Sequence, residues 1–162
     1  MGKIAFVFSG QGAQAPGMGK ELYECSAAAK AVFELCDSIR PGTREQCFNG
    51  TKEELTVTAN TQPDMFAVEV AAARALVEAG IQPDALAGFS LGEISALAFS
   101  GAVSLEDGFK LVCRRGELMQ EASNAADSAM VAVVKLPPEK VEELAGQFDQ
   151  VYPVNYNSPA QT

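Results

Sequence analysis

The sequence predicts an α/β fold built around a parallel sheet, on two observations. The apolar runs Ile4–Phe8 and Leu86–Phe89 have the length of short buried strands, and each is bounded by glycine or serine. Residues with helical periodicity follow each run. Strands that alternate with helices along a chain are typical of a parallel sheet covered by helices.

Between the two strands, turn and capping residues indicate three helices. A helix over 20–39 is expected to end before Pro41, and a shorter helix opens at Thr51, which begins a capping box. The third helix covers 63–78. Pro63 lies in its predicted first turn, where the missing N–H costs no hydrogen bond.

After the second strand, the pattern predicts two further helices. One covers 91–99 and begins directly after the strand, and the other is capped by Ser104 and reaches about Ala122. We therefore assign residues 1–125 to one subdomain.

Residues 126–162 differ in composition and are predicted to begin a second, smaller α+β subdomain. Strands are expected over 130–135 and 151–155, with a helix between them from Pro138 to about Gln147. This β-α-β order opens many split α+β folds.

The composition excludes several classes of function. The net charge of −9 argues against nucleic-acid binding, since phosphates require a basic surface. The 162 residues contain no histidine, so no Ser-His, Cys-His or His-ligated zinc mechanism is complete within them. The four cysteines lack CxxC spacing, which indicates reduced thiols and no metal site. No signal peptide or membrane span is recognised, and we expect a cytoplasmic protein without a bound cofactor.

Residues 88–92 (GFSLG) match the G-x-S-x-G pattern of serine nucleophiles. The pattern lies between a predicted strand and a predicted helix, which is the context it requires. Its glycines would allow a sharp turn that exposes Ser90, with the backbone amide of Leu91 facing the same space. The alternative is a serine that only caps the helix.

The Gly-rich loop at 10–15 (GQGAQA) matches a dinucleotide-binding fingerprint in spacing alone. That fingerprint requires a helix to begin inside the glycines, and Pro16 and Gly17 interrupt it, which disfavours nucleotide binding. Gln11 stands between two glycines, from where its amide could reach into a site. The alternative is a flexible turn without a function.

Helical geometry separates two consecutive arginines. Arg114 shares a polar face with acidic residues and is expected at the surface. Arg115 lies on an apolar stripe with Leu111 and Met119, where a guanidinium needs an anionic partner. That partner is either an internal Asp or Glu or the carboxylate of a substrate.

Several segments together resemble the malonyl-CoA:acyl-carrier-protein transacylases, and the resemblance covers nearly the whole chain. The segments are FVFSGQGAQAPGMG at 6–19, TQPDMFAVEVA at 61–71, GFSLGEISAL at 88–97, RRGELMQEA at 114–122 and VNYNSPAQT at 154–162. The resemblance implies that residues 1–125 are the N-terminal part of an α/β-hydrolase-like large subdomain. It also implies that 126–162 begin a ferredoxin-like small subdomain.

The resemblance implies a role for each residue singled out above. Ser90 would take a malonyl group from malonyl-CoA and pass it to the phosphopantetheine thiol of acyl carrier protein, in fatty acid or polyketide synthesis. Gln11 and the amide of Leu91 would form the oxyanion hole, and Arg115 would bind the malonyl carboxylate. Asn155, in a segment that is a weak signal by itself, would lie in the small subdomain over the cleft.

Three departures from the family pattern affect these expectations. Phe89 stands where the family often has histidine, and Ser9 stands where it commonly has proline. The family's catalytic base is a histidine downstream of the small subdomain, and these residues contain none. We therefore expect the chain to be an N-terminal half whose C-terminal half is supplied in cis or in trans.

Two other functions remain open on the sequence. A patatin-like acyl hydrolase also uses a G-x-S-x-G serine, with an aspartate base, although its loop would carry a glycine run and a basic residue at 9–12. A non-catalytic acyltransferase-like module that docks a carrier protein would need a basic patch on this acidic chain, such as Lys110 and Arg114.

Overall fold

Residues 2–162 form two compact units in the structure, which is a computed structural model. The first unit ends at Ala126, and the second comprises Asp127–Thr162. Among the described residues, no helix has the length and apolar character needed to cross a membrane.

The first unit contains a parallel pair of strands, as the sequence predicts. Strand β1 (Ala5–Phe8) pairs with β2 (Ala85–Gly88) in a register that sets Phe8 opposite Gly88. Both strands agree with the prediction to within one residue, and the α/β class is confirmed. The helices of this unit are α1 (Lys20–Cys25), α2 (Ala27–Ile39), α3 (Thr43–Asn49), α4 (Lys52–Thr56), α5 (Thr58–Glu78), α6 (Leu91–Ser100) and α7 (Leu105–Ala125).

Helix α5 lies at the centre of the hydrophobic core, where it contacts α2, α6 and α7. It contributes Phe66 and Val70, which are fully buried. Phe33 of α2, Leu91 of α6 and Phe109 of α7 belong to the same cluster. Burial of each large apolar side chain contributes about 1.5–3 kcal/mol, so this core holds together the helices that carry the candidate residues.

The local capping predictions are confirmed. The side chain of Thr51 accepts a hydrogen bond from the amide of Glu54, whose carboxylate accepts one from the amide of Thr51, which completes the capping box of α4. Ser104 accepts a hydrogen bond from the amide of Asp107 at the start of α7. Helix α7 ends at Ala125, slightly beyond the predicted end.

The helix predicted over 20–39 is two helices. Ser26 has an extended backbone, and its side chain caps α2 by accepting a hydrogen bond from the amide of Ala29. Helix α3 follows in a stretch for which the sequence predicts no element, after Gly42 at a φ of 94°. The long helix also begins earlier than Pro63, at Thr58, because the amide of Thr58 donates to Gln120 Oε1 of α7 at 2.9 Å.

The second unit contains helix α8 (Pro138–Ala145), which begins at the predicted residue. The strands predicted over 130–135 and 151–155 are wrong. In the first range, the backbone of 133–135 bonds antiparallel to 160–162, which gives an isolated bridge between Val134 and Gln161 and no strand of the predicted length. The second range has no assigned strand among the described residues. An apolar pattern does not specify how many residues find a partner for their backbone N–H and C=O groups.

Candidate active site

The turns that follow β1 and β2 lie side by side. Because the two strands are parallel neighbours, their carboxyl ends meet at the same edge of the sheet. The amide of Phe89 donates to the carbonyl of Phe8 at 3.0 Å. A Cβ added to Gly10 would come within 2.6 Å of the Phe89 ring. We call residues 9–19 the first turn and residues 89–90 the second turn.

The second turn holds Ser90 in an unusual backbone conformation. Its φ is 56° and its ψ is −112°, and α6 begins at the next residue. For a residue other than glycine, such a conformation costs about 1–3 kcal/mol and persists only where the surroundings enforce it. The exposed Ser90 side chain makes no capping hydrogen bond to α6, so the alternative of a simple helix cap is wrong.

The two glycines of the G-x-S-x-G pattern are required by close packing. A Cβ on Gly88 would lie 2.3 Å from the backbone of Gly92. A Cβ on Gly92 would lie 2.4 Å from the carbonyl oxygens of Phe8 and Ser9. The strand–turn–helix context predicted for this motif is therefore confirmed, and the backbone itself enforces the turn at Ser90.

The Arg115 guanidinium contacts Ser90. Its Nη2 donates to Ser90 Oγ at 2.9 Å, and its Nη1 donates to Gln62 Oε1 at 2.7 Å. Among residues 2–162, no carboxylate lies within ion-pair distance of Arg115. An internal Asp or Glu partner, one of the two alternatives from the sequence, is therefore wrong. The guanidinium keeps an un-neutralised charge beside the serine hydroxyl.

Gln62 is a site residue that the sequence analysis does not single out. It is almost completely buried on α5, where it accepts the Arg115 hydrogen bond and donates through Nε2 to Met119 Sδ at 3.0 Å. These contacts orient the guanidinium toward Ser90. An uncharged amide within a helical segment carries no signal of such a role, and the family resemblance marked only the segment around it.

The charged neighbours of Arg115 on α7 lie at the surface. Arg114 pairs with Glu117 at 2.9 Å, and this confirms its predicted surface position. Lys110 pairs with Glu106 on the same exposed face, so acidic neighbours offset the charge of both cations considered above as a basic patch. Leu111 is exposed, which corrects the expectation of a buried apolar stripe around Arg115.

The two residues proposed for the oxyanion hole differ in their hydrogen bonds. Among the described residues, the amide of Leu91 has no hydrogen-bond partner, whereas the next amide, that of Gly92, donates to Phe89 O. The exposed Gln11 directs its side-chain amide at Thr58 Oγ1, with a long contact of 3.4 Å. Their joint role as an oxyanion hole stays a prediction.

Asn155 belongs to the second unit, where it is exposed. Its contribution to substrate binding likewise stays a prediction.

Several buried groups titrate abnormally without contacting Ser90. Burial raises the pKa of Asp64 to about 7, although the Arg40 charge partly opposes this shift. Burial also raises the pKa of the thiols of Cys36 and Cys47, so these cysteines stay protonated and are poor nucleophiles. Within residues 2–162, no cluster of three or more His, Cys, Asp or Glu side chains has the arrangement of a metal site.

The side chain that contacts Ser90 Oγ within residues 2–162 is Arg115, and a guanidinium does not accept a proton in proteins. The histidine base expected from the family resemblance stays a prediction.

A family model, curated relatives and solved structures all match this chain to acyl transferases. The model of the acyl transferase domain family matches residues 5–162. Malonyl CoA-acyl carrier protein transacylase of Bacillus subtilis (strain 168) is 42% identical, over 99% of this chain and 52% of the relative. The crystal structure of the malonyl transacylase MCAT from Streptococcus pneumoniae superposes with a TM-score of 0.87 at 42% identity, over 98% of this chain and 53% of that one.

A second solved structure is a complex of a type II polyketide synthase acyl-carrier protein with its malonyl-transacylase. It superposes with a TM-score of 0.88 at 34% identity, over 99% of this chain and 53% of that one. The chain thus spans about half the length of the curated relatives it matches. It belongs to the acyl transferase domain family.

Proposed function

We propose that the protein containing this chain transfers a malonyl group from CoA to the phosphopantetheine thiol of an acyl carrier protein, through an ester on Ser90. The observation that carries the proposal is the 2.9 Å hydrogen bond from Arg115 Nη2 to Ser90 Oγ. A serine beside an un-neutralised guanidinium suits an acyl group that ends in a carboxylate. The printed names of the relatives, malonyl CoA-acyl carrier protein transacylases, support the same pair of substrates.

In the first half-reaction, Ser90 Oγ attacks the thioester carbon of malonyl-CoA. The Oγ proton passes to a base, the amides of Leu91 and Gln11 stabilise the oxyanion, and the C–S bond breaks as CoA leaves with the proton as a thiol. In the second, the phosphopantetheine thiol gives its proton to the base and attacks the ester carbon, the bond from that carbon to Ser90 Oγ breaks, and Oγ takes the proton back from the base. The base is a histidine outside these residues, and no bound cofactor takes part.

Arg115 selects the acyl group in this mechanism. The carboxylate of a malonyl ester lies only a few bonds from Oγ, within reach of the Nη2 that contacts Oγ before the reaction. Nη1 stays on Gln62, so the guanidinium does not need to reorganise. An acetyl group has no carboxylate and leaves the arginine charge unpaired.

The acyl-serine is tested by mass spectrometry of the complete protein after brief exposure to malonyl-CoA. We expect a malonyl adduct on the peptide that contains Ser90, and none after Ser90→Ala. A peptide that stays unmodified in the wild type contradicts the proposal.

The role of Arg115 is tested against its neighbour. We expect Arg115→Ala to lower malonyl transfer about 100-fold and to abolish the preference for malonyl over acetyl, because a charge-assisted contact of this kind contributes several kcal/mol. Arg114→Ala is the matched control, since that arginine contacts only surface glutamates, and it should stay within about twofold of wild type. Equal effects of the two substitutions would contradict the assignment.

The same assays separate the two rival functions. A patatin-like hydrolase needs an aspartate beside the serine, and no carboxylate of residues 2–162 contacts Ser90 Oγ. Faster hydrolysis of neutral acyl esters than malonyl transfer would nevertheless favour it. Carrier binding without any acylation, unchanged by Ser90→Ala, would favour the docking module.

A further inference from the structure

We propose that Glu69 is a positioning residue, which holds the first turn against α6 and so sets the distance between the backbone of Gln11 and the amide of Leu91. The inference rests on the proposed function, because it concerns the groups that would stabilise the oxyanion of that reaction. Glu69 itself contacts neither Ser90 nor any atom that reacts.

The Glu69 carboxylate joins the first turn to α6. Its Oε1 accepts a hydrogen bond from Ser9 Oγ and its Oε2 accepts one from Ser95 Oγ, both at 2.7 Å. Ser9 directly follows β1 and lies two residues before Gln11. Ser95 lies on α6, about one turn after Leu91. One side chain of α5 therefore bonds to both the first turn and α6.

The surroundings of this carboxylate disfavour its charged form. Burial raises the pKa of Glu69, and the hydroxyl donors Ser9 and Ser95 oppose the shift. Among the described residues, no lysine or arginine lies within ion-pair distance of it. A partly buried carboxylate without a cation is costly unless its oxygens are satisfied, and here each oxygen has its own hydroxyl donor.

The backbone of Ser9 is fixed from a second side. Its carbonyl oxygen lies so close to Gly92 that a Cβ there would approach to 2.4 Å. With the carbonyl packed on α6 and the hydroxyl bonded to Glu69, the direction in which the chain leaves Ser9 toward Gln11 is determined.

The expected effect follows from the sensitivity of catalysis to position. Loss of the carboxylate frees the first turn from α6, and a displacement of about 1 Å in a catalytic constellation lowers the rate up to about 100-fold. Substrate affinity would change little, since Arg115 and Gln62 do not contact Glu69. We therefore expect a loss in kcat with an unchanged KM.

The test uses the complete protein and three variants. Glu69→Ala removes both acceptors. Glu69→Gln keeps one acceptor oxygen and places an amide donor opposite the other hydroxyl, which can accept, so it retains the bridge. Glu78→Ala is the matched control, because Glu78 lies on the same helix and accepts a hydrogen bond from the hydroxyl of Ser26, far along α5 from both turns. The rate and amplitude of malonyl-ester formation are measured, with the amplitude counting active sites.

We expect Glu69→Ala to lower kcat per active site roughly 10- to 100-fold at constant KM, Glu69→Gln to restore most of the loss, and Glu78→Ala to leave kcat per active site unchanged. We also expect Ser9→Ala to add nothing to Glu69→Ala, since both break one bridge. A Glu69→Ala protein that loses only folded active sites, with normal kcat in the rest, would overturn the inference and leave the proposed function intact. A wild type that forms no malonyl-serine would overturn both.

Discussion

The first and second turns use glycine for different physical reasons. In the first turn, Gly12 and Gly17 have φ values of 118° and 85°, with open space where a side chain would be. In the second turn region, Gly88 and Gly92 have no such φ, and a Cβ on either would lie within 2.4 Å of backbone atoms. Glycine thus supplies backbone conformation at Gly12 and Gly17 and space at Gly88 and Gly92. Gly10 of the first turn also supplies space, against the Phe89 ring.

The two turns also differ in which residue type adopts a positive φ. In the second turn the left-handed conformation belongs to Ser90, and the packed glycines on both sides enforce it. In the first turn the strained conformations belong to glycines, which adopt them at little cost. The second turn is therefore rigid by packing, whereas the first depends on hydrogen bonds such as that from Ser9 to Glu69.

The strongest test of this comparison is the loss of each turn's serine hydroxyl. We expect Ser90→Ala to lower malonyl transfer to the carrier protein by at least about 1,000-fold, because Oγ is the atom that forms the ester. Ser9→Ala should lower it only about tenfold, since that hydroxyl orients a loop. Steady-state transfer rates measure both. Equal losses would show that the two turns do not differ in this way.

The next largest effect concerns space in the second turn. We expect Gly92→Ala to lower the free energy of unfolding by about 3 kcal/mol, because the new Cβ meets the carbonyl oxygens of Phe8 and Ser9. Helix propensity alone would make alanine more stabilising than glycine by about 1 kcal/mol. A loss of stability in Gly92→Ala would therefore come from the steric contact and not from helix propensity. Urea unfolding measures the change. A variant as stable as wild type would mean that α6 can move away from the sheet.

Asp64 of α5 contacts neither turn, and it should change the free energy of unfolding with pH without changing catalysis. Asp64 Oδ1 pairs with Arg40 at 3.4 Å, and its buried Oδ2 has no partner among the described residues. Its pKa of about 7 in the folded state lies above its ordinary value of 3.8. The contribution of the protonated carboxyl to the free energy of unfolding is therefore fully present below pH 3.8 and is lost as the pH rises through 7.

We expect Asp64→Asn to remove this loss. Relative to wild type, the variant should gain about 2 kcal/mol in the free energy of unfolding between pH 5 and pH 8, with kcat unchanged. Urea unfolding at both pH values measures the gain, and Asp127→Asn, at an exposed site, is the control. A difference that stays constant with pH would contradict the raised pKa.

The smallest loss of stability is expected when a glycine with a positive φ in the first turn is replaced. Gly12→Ala places a Cβ in open space but keeps a φ of 118°, so we expect a loss of about 1 kcal/mol in the free energy of unfolding. Thermal unfolding beside Gly92→Ala measures the contrast. The comparison is wrong if Gly12→Ala is the more destabilising of the two.

Features that depend on near neighbours were accessible from the sequence. The capping box at Thr51, the cap at Ser104 and the turn around Ser90 each arise from contacts within a few residues. The surface position of Arg114 follows from helical periodicity, because its partner Glu117 is three residues away. Such contacts are present in any conformation that forms the local helix or turn.

Features that join distant segments were not accessible. The cap from Gln120 that starts α5 at Thr58 spans 62 residues. The strand predicted over 130–135 is reduced to a short antiparallel contact of 133–135 with 160–162, a partner that no local pattern indicates. Neither partner can be identified from periodicity, which contains no information about distant contacts.

The sequence by itself determined the strand–turn–helix that exposes Ser90, because Gly88 packs on Gly92 within the same motif. The contact of Gly92 with Phe8 and Ser9 is tertiary. Only the tertiary structure decided what surrounds that serine. Arg115 reaches it from 25 residues away and Gln62 supports Arg115 from 53. Glu69 joins Ser9 and Ser95 across 60 and 26 residues. Packing of α5 against α6 and α7 creates these contacts, and packing is a property of the folded chain as a whole.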